Sequence, residues 1–197
     1  MPDRAQTSDT FENLRGLIFD MLLVTDGRTT ELLETILQEK LGVSVIRQER
    51  AEGAKDGDAG EDAFATYVRE SVLVGERSRL PVSHNVALVD SRYVPPALFQ
   101  AIAGKQLGIG KAIGAEGIRA YRKVLDSGTV DFTGAADLFG QPLALKFPVT
   151  KDKVPYKKYA IHFEERPGIL LLEYYDPRLV KYRLTNGKDA GRQDQGK

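Results

Sequence analysis

Two charged residues sit inside runs that otherwise have the composition of buried strands. Arg69 lies in Val68-Arg-Glu-Ser-Val-Leu-Val74, and Glu173 interrupts Ile169-Leu-Leu-Leu172 and Tyr174-Tyr175. A guanidinium in a partly desolvated strand can hold a carboxylate through two parallel hydrogen bonds in a fixed orientation. A carboxylate turned inward there is costly unless it is paired or protonated. Alternation alone also allows a plainer reading, with Arg69 on the polar side of its strand and Glu173 facing solvent between buried neighbours.

Other chemistry-bearing patterns fail on spacing. Gly104-Lys-Gln-Leu-Gly-Ile-Gly-Lys111 lacks the glycine five residues before its Gly-Lys pair, and Ala112 stands where a phosphate loop needs Ser or Thr. The third glycine of a dinucleotide fingerprint would have to be Ile113. His162 alternates with Ile161 and Phe163, and His84 lies beside Ser83 and Asn85. Neither sits in a Gly-x-Ser-x-Gly or comparable nucleophile setting, so both read as packed or solvent-facing histidines. Lys151 to Lys158 reads as a solvated basic loop, with Lys158 retained as a candidate anion ligand.

Composition narrows the classes further. The 197 residues hold 28 Lys and Arg against 28 Asp and Glu, so no basic excess favours nucleic acid. There is no cysteine and there are two histidines, which argues against disulfides, thiolate chemistry and a multi-histidine metal centre. No apolar run approaches the ~18 residues of a membrane span, and the first residues lack a secretory pattern. The expectation is a cytoplasmic, metal-free globular domain without a nucleic-acid or membrane partner.

The elements that must position Arg69 and Glu173 follow from periodicity. Residues 1–10 read as a disordered start, 11–185 as one domain, and 186–197 as a disordered polar tail. Phe11, Leu14, Leu17, Ile18, Met21 and Leu22 mark a helix; Leu32, Leu33, Ile36 and Leu37 mark a second, capped by Thr29 or Thr30 and ended by Gly42. A strand from Val43, a charged loop over 51–61 and a strand from Phe64 to Val74 come next. Val82–Val89 forms a hairpin partner, and Pro95-Pro96 opens a short helix. Residues 105–114 form a glycine-bounded helical turn. Strands follow at Ile118–Leu125, Leu143–Val149, Tyr159–Phe163 and Ile169–Tyr175. Tight connections between successive strands predict an α+β fold with an antiparallel sheet of about six strands and flanking helices.

In that order, four segments resemble the chorismate pyruvate-lyases, or 4-hydroxybenzoate synthases, and the wider chorismate-lyase-like group. They are Leu22-Leu-Val-Thr-Asp-Gly-Arg-Thr-Thr30 with Glu31-Leu-Leu-Glu34; Val43-Ser-Val45 with Arg47; Tyr67-Val-Arg-Glu-Ser-Val-Leu73; and Gly168-Ile-Leu-Leu-Leu-Glu-Tyr-Tyr-Asp-Pro177. Between the last two, Ile109-Gly-Lys111 is similar to the family's Leu-Gly-Arg turn.

The resemblance implies a chorismate lyase-like fold and a carbon–oxygen lyase converting chorismate to 4-hydroxybenzoate and pyruvate without cofactor. It places Arg69 on a substrate carboxylate and Glu173 beside the ring hydroxyl as the catalytic pair. Ile109 and Gly110 would form an apolar wall that also offers backbone. Lys111 or Lys158, where the family has Arg, would hold the second carboxylate. Thr29 would close the pocket where the family has Met or Leu, and with Arg28 it departs from the family pattern. Two alternatives stand beside this reading. One is a non-catalytic effector-binding domain, since a class of bacterial transcription regulators shares the fold; the other is a lyase for a related compound. Monomer and dimer both remain open.

Overall fold

The computed structural model describes residues 4–51 and 66–190, with side chains over 9–51 and 66–185. Helices and ten-residue strands follow one another in runs along the chain: α1 (Arg4–Val24), α2 (Thr29–Leu37), β1 (Leu41–Arg50), β2 (Thr66–Gly75), β3 (Pro81–Asp90), α3 (Pro96–Ala103), α4 (Ile109–Ala115), β4 (Tyr121–Val130), β5 (Val154–Phe163), β6 (Arg166–Tyr175) and α5 (Leu179–Ala190). All six strands form one antiparallel sheet in the order β1-β2-β3-β6-β5-β4. The fold is α+β, as the turn spacing predicts.

Each face of the sheet has its own cover. On one face two apolar clusters lie side by side. The first joins Ala87, Val89, Tyr159, Ile161, Ile169 and Leu171 to Leu98 and Ile102 of α3 and to Ala112 and Ile113 of α4. The second joins Leu73 and Tyr175 to Phe19 and Leu22 of α1, Leu33 and Leu37 of α2, and Leu179 and Val180 of α5. Each fully buried leucine here contributes about 1.5–3 kcal/mol over its exposed state. Leu145 and Phe147 pack with Leu172 and Tyr174 in a third cluster, on the opposite face.

Several local expectations need correction. The apolar alternation at Leu143–Val149 does not form a strand. Leu145 and Phe147 are buried, yet the stretch makes no ladder, and the one nearby bridge joins Ala136 to Pro142. No side chain caps α2: Arg28 occupies the N-cap in the left-handed region at φ 51°, and Thr29 is already inside the helix. Gln38, at φ 55°, ends α2 before Gly42 is reached. Helix α1 begins at Arg4, and α5 runs to Ala190. The charged loop over 52–61, the strand start at Phe64 and the tail beyond 190 lie outside the described residues.

Candidate functional site

Side chains of directly opposed residues in an antiparallel pair share a face. The register aligns Ser71 with Asn85, Asn85 with Glu173, and Glu173 with Lys157. Four adjacent strands therefore carry one polar row, Ser71–Asn85–Glu173–Lys157, across the face otherwise occupied by the first two apolar clusters. Two residues along each strand, the next row holds Arg69, Ala87, Leu171 and Tyr159. On the other side stand Leu73, Ser83 and Tyr175. The polar row thus runs between two hydrophobic cores.

Arg69 is 1% exposed. Its Nη1 donates to the Ile102 carbonyl at 2.8 Å and its Nη2 to the Leu107 carbonyl at 2.6 Å, tying the end of α3 and the loop before α4 to the sheet. No carboxylate among the described residues pairs with it, and burial pulls the guanidinium below its ordinary pKa. Main-chain carbonyls supply partial negative charge only, so the cation lacks a full counter-charge.

Glu173 is held differently. Its Oε2 accepts from the Tyr175 hydroxyl at 2.6 Å, and Tyr159 bonds it from the neighbouring strand. Burial raises both phenols well above their usual pKa, and the Glu173 charge adds to it. Lys157 donates to the carbonyls of Leu22 at 2.9 Å and Thr25 at 3.1 Å and to Thr29 Oγ1 at 3.3 Å. It thereby anchors the end of α1 and the turn into α2. Burial lowers its pKa, opposed by Glu173 and reinforced by Arg122.

Arg122 of β4 completes the charge pattern. Added Cβ atoms on Gly27 and Gly110 would each lie 3.8 Å from its guanidinium, which therefore sits between the α1–α2 turn and α4. Arg69, Lys157 and Arg122 border a band that holds Glu173 as its carboxylate. Three buried oxygens nearby have no hydrogen-bond partner: Asn85 Oδ1, Ser83 Oγ and Gln48 Oε1, the last opposite Arg69 on β1. A cavity of about 140 Å³ is bounded by Thr30, Leu73, Leu107, Gly108 and Lys111 among others, and none of the row's side chains lines it.

The sequence-derived candidates separate on this geometry. Arg69, Glu173 and Thr29 meet the buried band. Ile109 packs against the first core, and Gly110 flanks Arg122. Lys111 does not reach the row. It donates to Glu34 Oε1 at 2.9 Å and to the Leu41 carbonyl at 2.7 Å, pinning α4 to α2 and β1. Lys158 alternates onto the opposite face, and Lys157 takes the position expected of it. Sequence reasoning missed Arg122, Asn85 and Lys157. Tyr175 had a usable signal, since it follows Glu173 at the strand period of two.

No family model matches the chain. No curated protein matches it either. Among solved structures, the chain is similar to PhnF from Mycobacterium smegmatis, with 12% identity and a TM-score of 0.48 over 89% of this chain and 86% of that one. It is also similar to the ligand-binding domain of a putative GntR-family transcriptional regulator from Bordetella bronchiseptica, with 13% identity and a TM-score of 0.40 over 69% and 85%.

The expectation of a carbon–oxygen lyase is corrected. Glu173, the carboxylate expected to act beside a ring hydroxyl, already accepts from the Tyr175 hydroxyl and is bonded by Tyr159, while Arg69 gives two of its donors to main-chain carbonyls.

Proposed function

We propose that this chain is a non-catalytic binding domain for a small organic anion, with the ligand seated over the Ser71–Asn85–Glu173–Lys157 row. The observation that carries the reading is Arg69, a fully buried guanidinium with no carboxylate partner among the described residues. An anion beside it supplies the missing counter-charge through charge-assisted hydrogen bonds, which are about twice as strong as neutral ones. Lys157 and Arg122 add positive potential, and Asn85 offers an unpartnered amide oxygen to a donor on the ligand. The α3–α4 loop and the α1–α2 turn are held by Arg69 and Lys157 themselves. Ligand contact with either cation therefore bears directly on two connections between helices.

A thermal-shift screen of the purified chain against aliphatic, aromatic and phosphorylated organic acids tests the reading, with calorimetry on any hit. The expected result is a ligand that raises the melting temperature and whose affinity drops about 10- to 100-fold in Lys157→Met. Melting temperatures that no organic anion moves, or a hit indifferent to Lys157, would overturn it.

A further inference from the structure

Helix α1 has two apolar faces, and the fold covers one. Phe19 and Leu22 are 7% and 1% exposed inside the second core, whereas Leu14, Leu17, Met21 and Val24 are 40%, 58%, 57% and 75% exposed. The exposed four are spaced three, four and three residues apart. That is the a/d repeat of a coiled-coil seam, in which each side chain enters a hole between four residues of a partner helix. A contiguous stripe of this kind is on the order of ~300–600 Å², the size of the largest apolar patch on a typical monomer, which is often a functional one.

The rest of this sequence cannot cover the stripe. Residues 1–8 offer Met1, Pro2 and Ala5 as apolar groups, residues 52–65 offer Phe64 and alanines, and residues 186–197 carry no large apolar side chain. A membrane surface fits poorly as well. Between Asp9 and Val24 the helix has three acids, Asp9, Glu12 and Asp20, against Arg15, which pairs with Glu12. Interfacial helices instead present Lys and Arg to anionic lipid.

We propose that α1 is a self-association surface and that the stripe is covered by α1 of a second copy. The spacing reads the same in both chain directions, so one stripe complements another about a two-fold axis, as an isologous interface requires. Burying one such patch on each copy removes roughly 600–1,200 Å², below the ~1,200–2,000 Å² of stable interfaces and in the range of weak, transient ones. The pair is therefore a reversible dimer whose population depends on concentration.

Analytical ultracentrifugation of the full chain from about 5 to 500 µM is the test. The expected result is a shift from 21.8 kDa toward twice that mass as concentration rises. In the double variant Leu17→Asp, Met21→Asp, which sets like charges against each other across the two-fold, self-association weakens at least about 100-fold. Because both side chains are more than half exposed, the far-UV spectrum and the melting temperature at about 5 µM, where the monomer prevails, stay unchanged. A chain that remains monomeric throughout, including one that sediments with neutral phosphatidylcholine vesicles, overturns the proposal. So does a dimer that survives the double variant.

Discussion

At the scale of single residues, the consequences of burial are specific. Arg69 joins α3 and its following loop to the sheet through two carbonyls, a span that a lysine's single ammonium does not reproduce. Arg69→Lys is expected to lower stability by about 1–3 kcal/mol in urea titrations. Amide exchange at 104–110 should accelerate while the β3 and β6 amides stay protected. His84 behaves differently. It is fully buried and donates through Nε2 to Glu70 at 3.0 Å, while Nδ1 has no partner. Burial, opposed by Glu70, pulls its pKa below the ordinary value. The unfolded chain then binds a proton that the native state refuses, so stability rises with pH through the window below about 6.5 and levels off above it. Unfolding free energies measured between about pH 5 and 7.5 check this slope, which His84→Gln should flatten.

At the scale of elements, packing and parity decide which residues matter. Gly168 opens the inward part of β6, where an added Cβ would lie 2.7 Å from both Phe163 Cδ2 and the Tyr93 carbonyl oxygen. The backbone contact cannot swing aside, so Gly168→Ala should cost about 1–3 kcal/mol, read as a lower urea midpoint. Helices α2 and α4 and strand β1 meet through Glu34, which accepts from Lys111, Lys40 and the Leu41 amide. Burial raises the Glu34 pKa, but these bonds outweigh it and hold the value at about 2. Its folded pKa is depressed, so its stabilisation is complete above about pH 4.5 and is lost as the pH falls toward 2. Glu34→Gln should show a shallower acid transition by circular dichroism.

Helices and hairpins were legible in the sequence because their signals are local. The 3.6-residue period gives α2, and short turns between apolar runs give β2–β3 and β5–β6. The site was legible only in part. Glu173 stands out because it breaks an apolar run, and Arg69 because the motif Val68-Arg-Glu-Ser-Val72 carries the family resemblance. Lys157 and Lys158 are adjacent in sequence and opposite in space, and the choice between them rests on a register set by pairing with β6. Arg122 lies more than fifty residues from Glu173 along the chain, and pairing of β4 with β5 brings it to the same face. The stretch at Leu143–Val149 has strand-like alternation because alternate side chains are buried, although its backbone forms no ladder and Leu143 N–H alone reaches the Ala135 carbonyl, at 2.9 Å.

For the molecule as a whole, the outer strands of the sheet set the terms of coexistence with other chains. Among the described residues both β1 and β4 run for ten residues with an unpaired side, the kind of template on which foreign strands accrete. Each is interrupted by a bulge, at Val45/Arg47 in β1 and at Val124/Asp126 in β4, and each places charged residues beside it. An interrupted, charged border offers no continuous run of donors and acceptors to an incoming chain. Fibrillar accretion along the sheet is therefore disfavoured at both margins. Concentrating the protein is expected to end in discrete assemblies rather than open polymers, which light scattering checks.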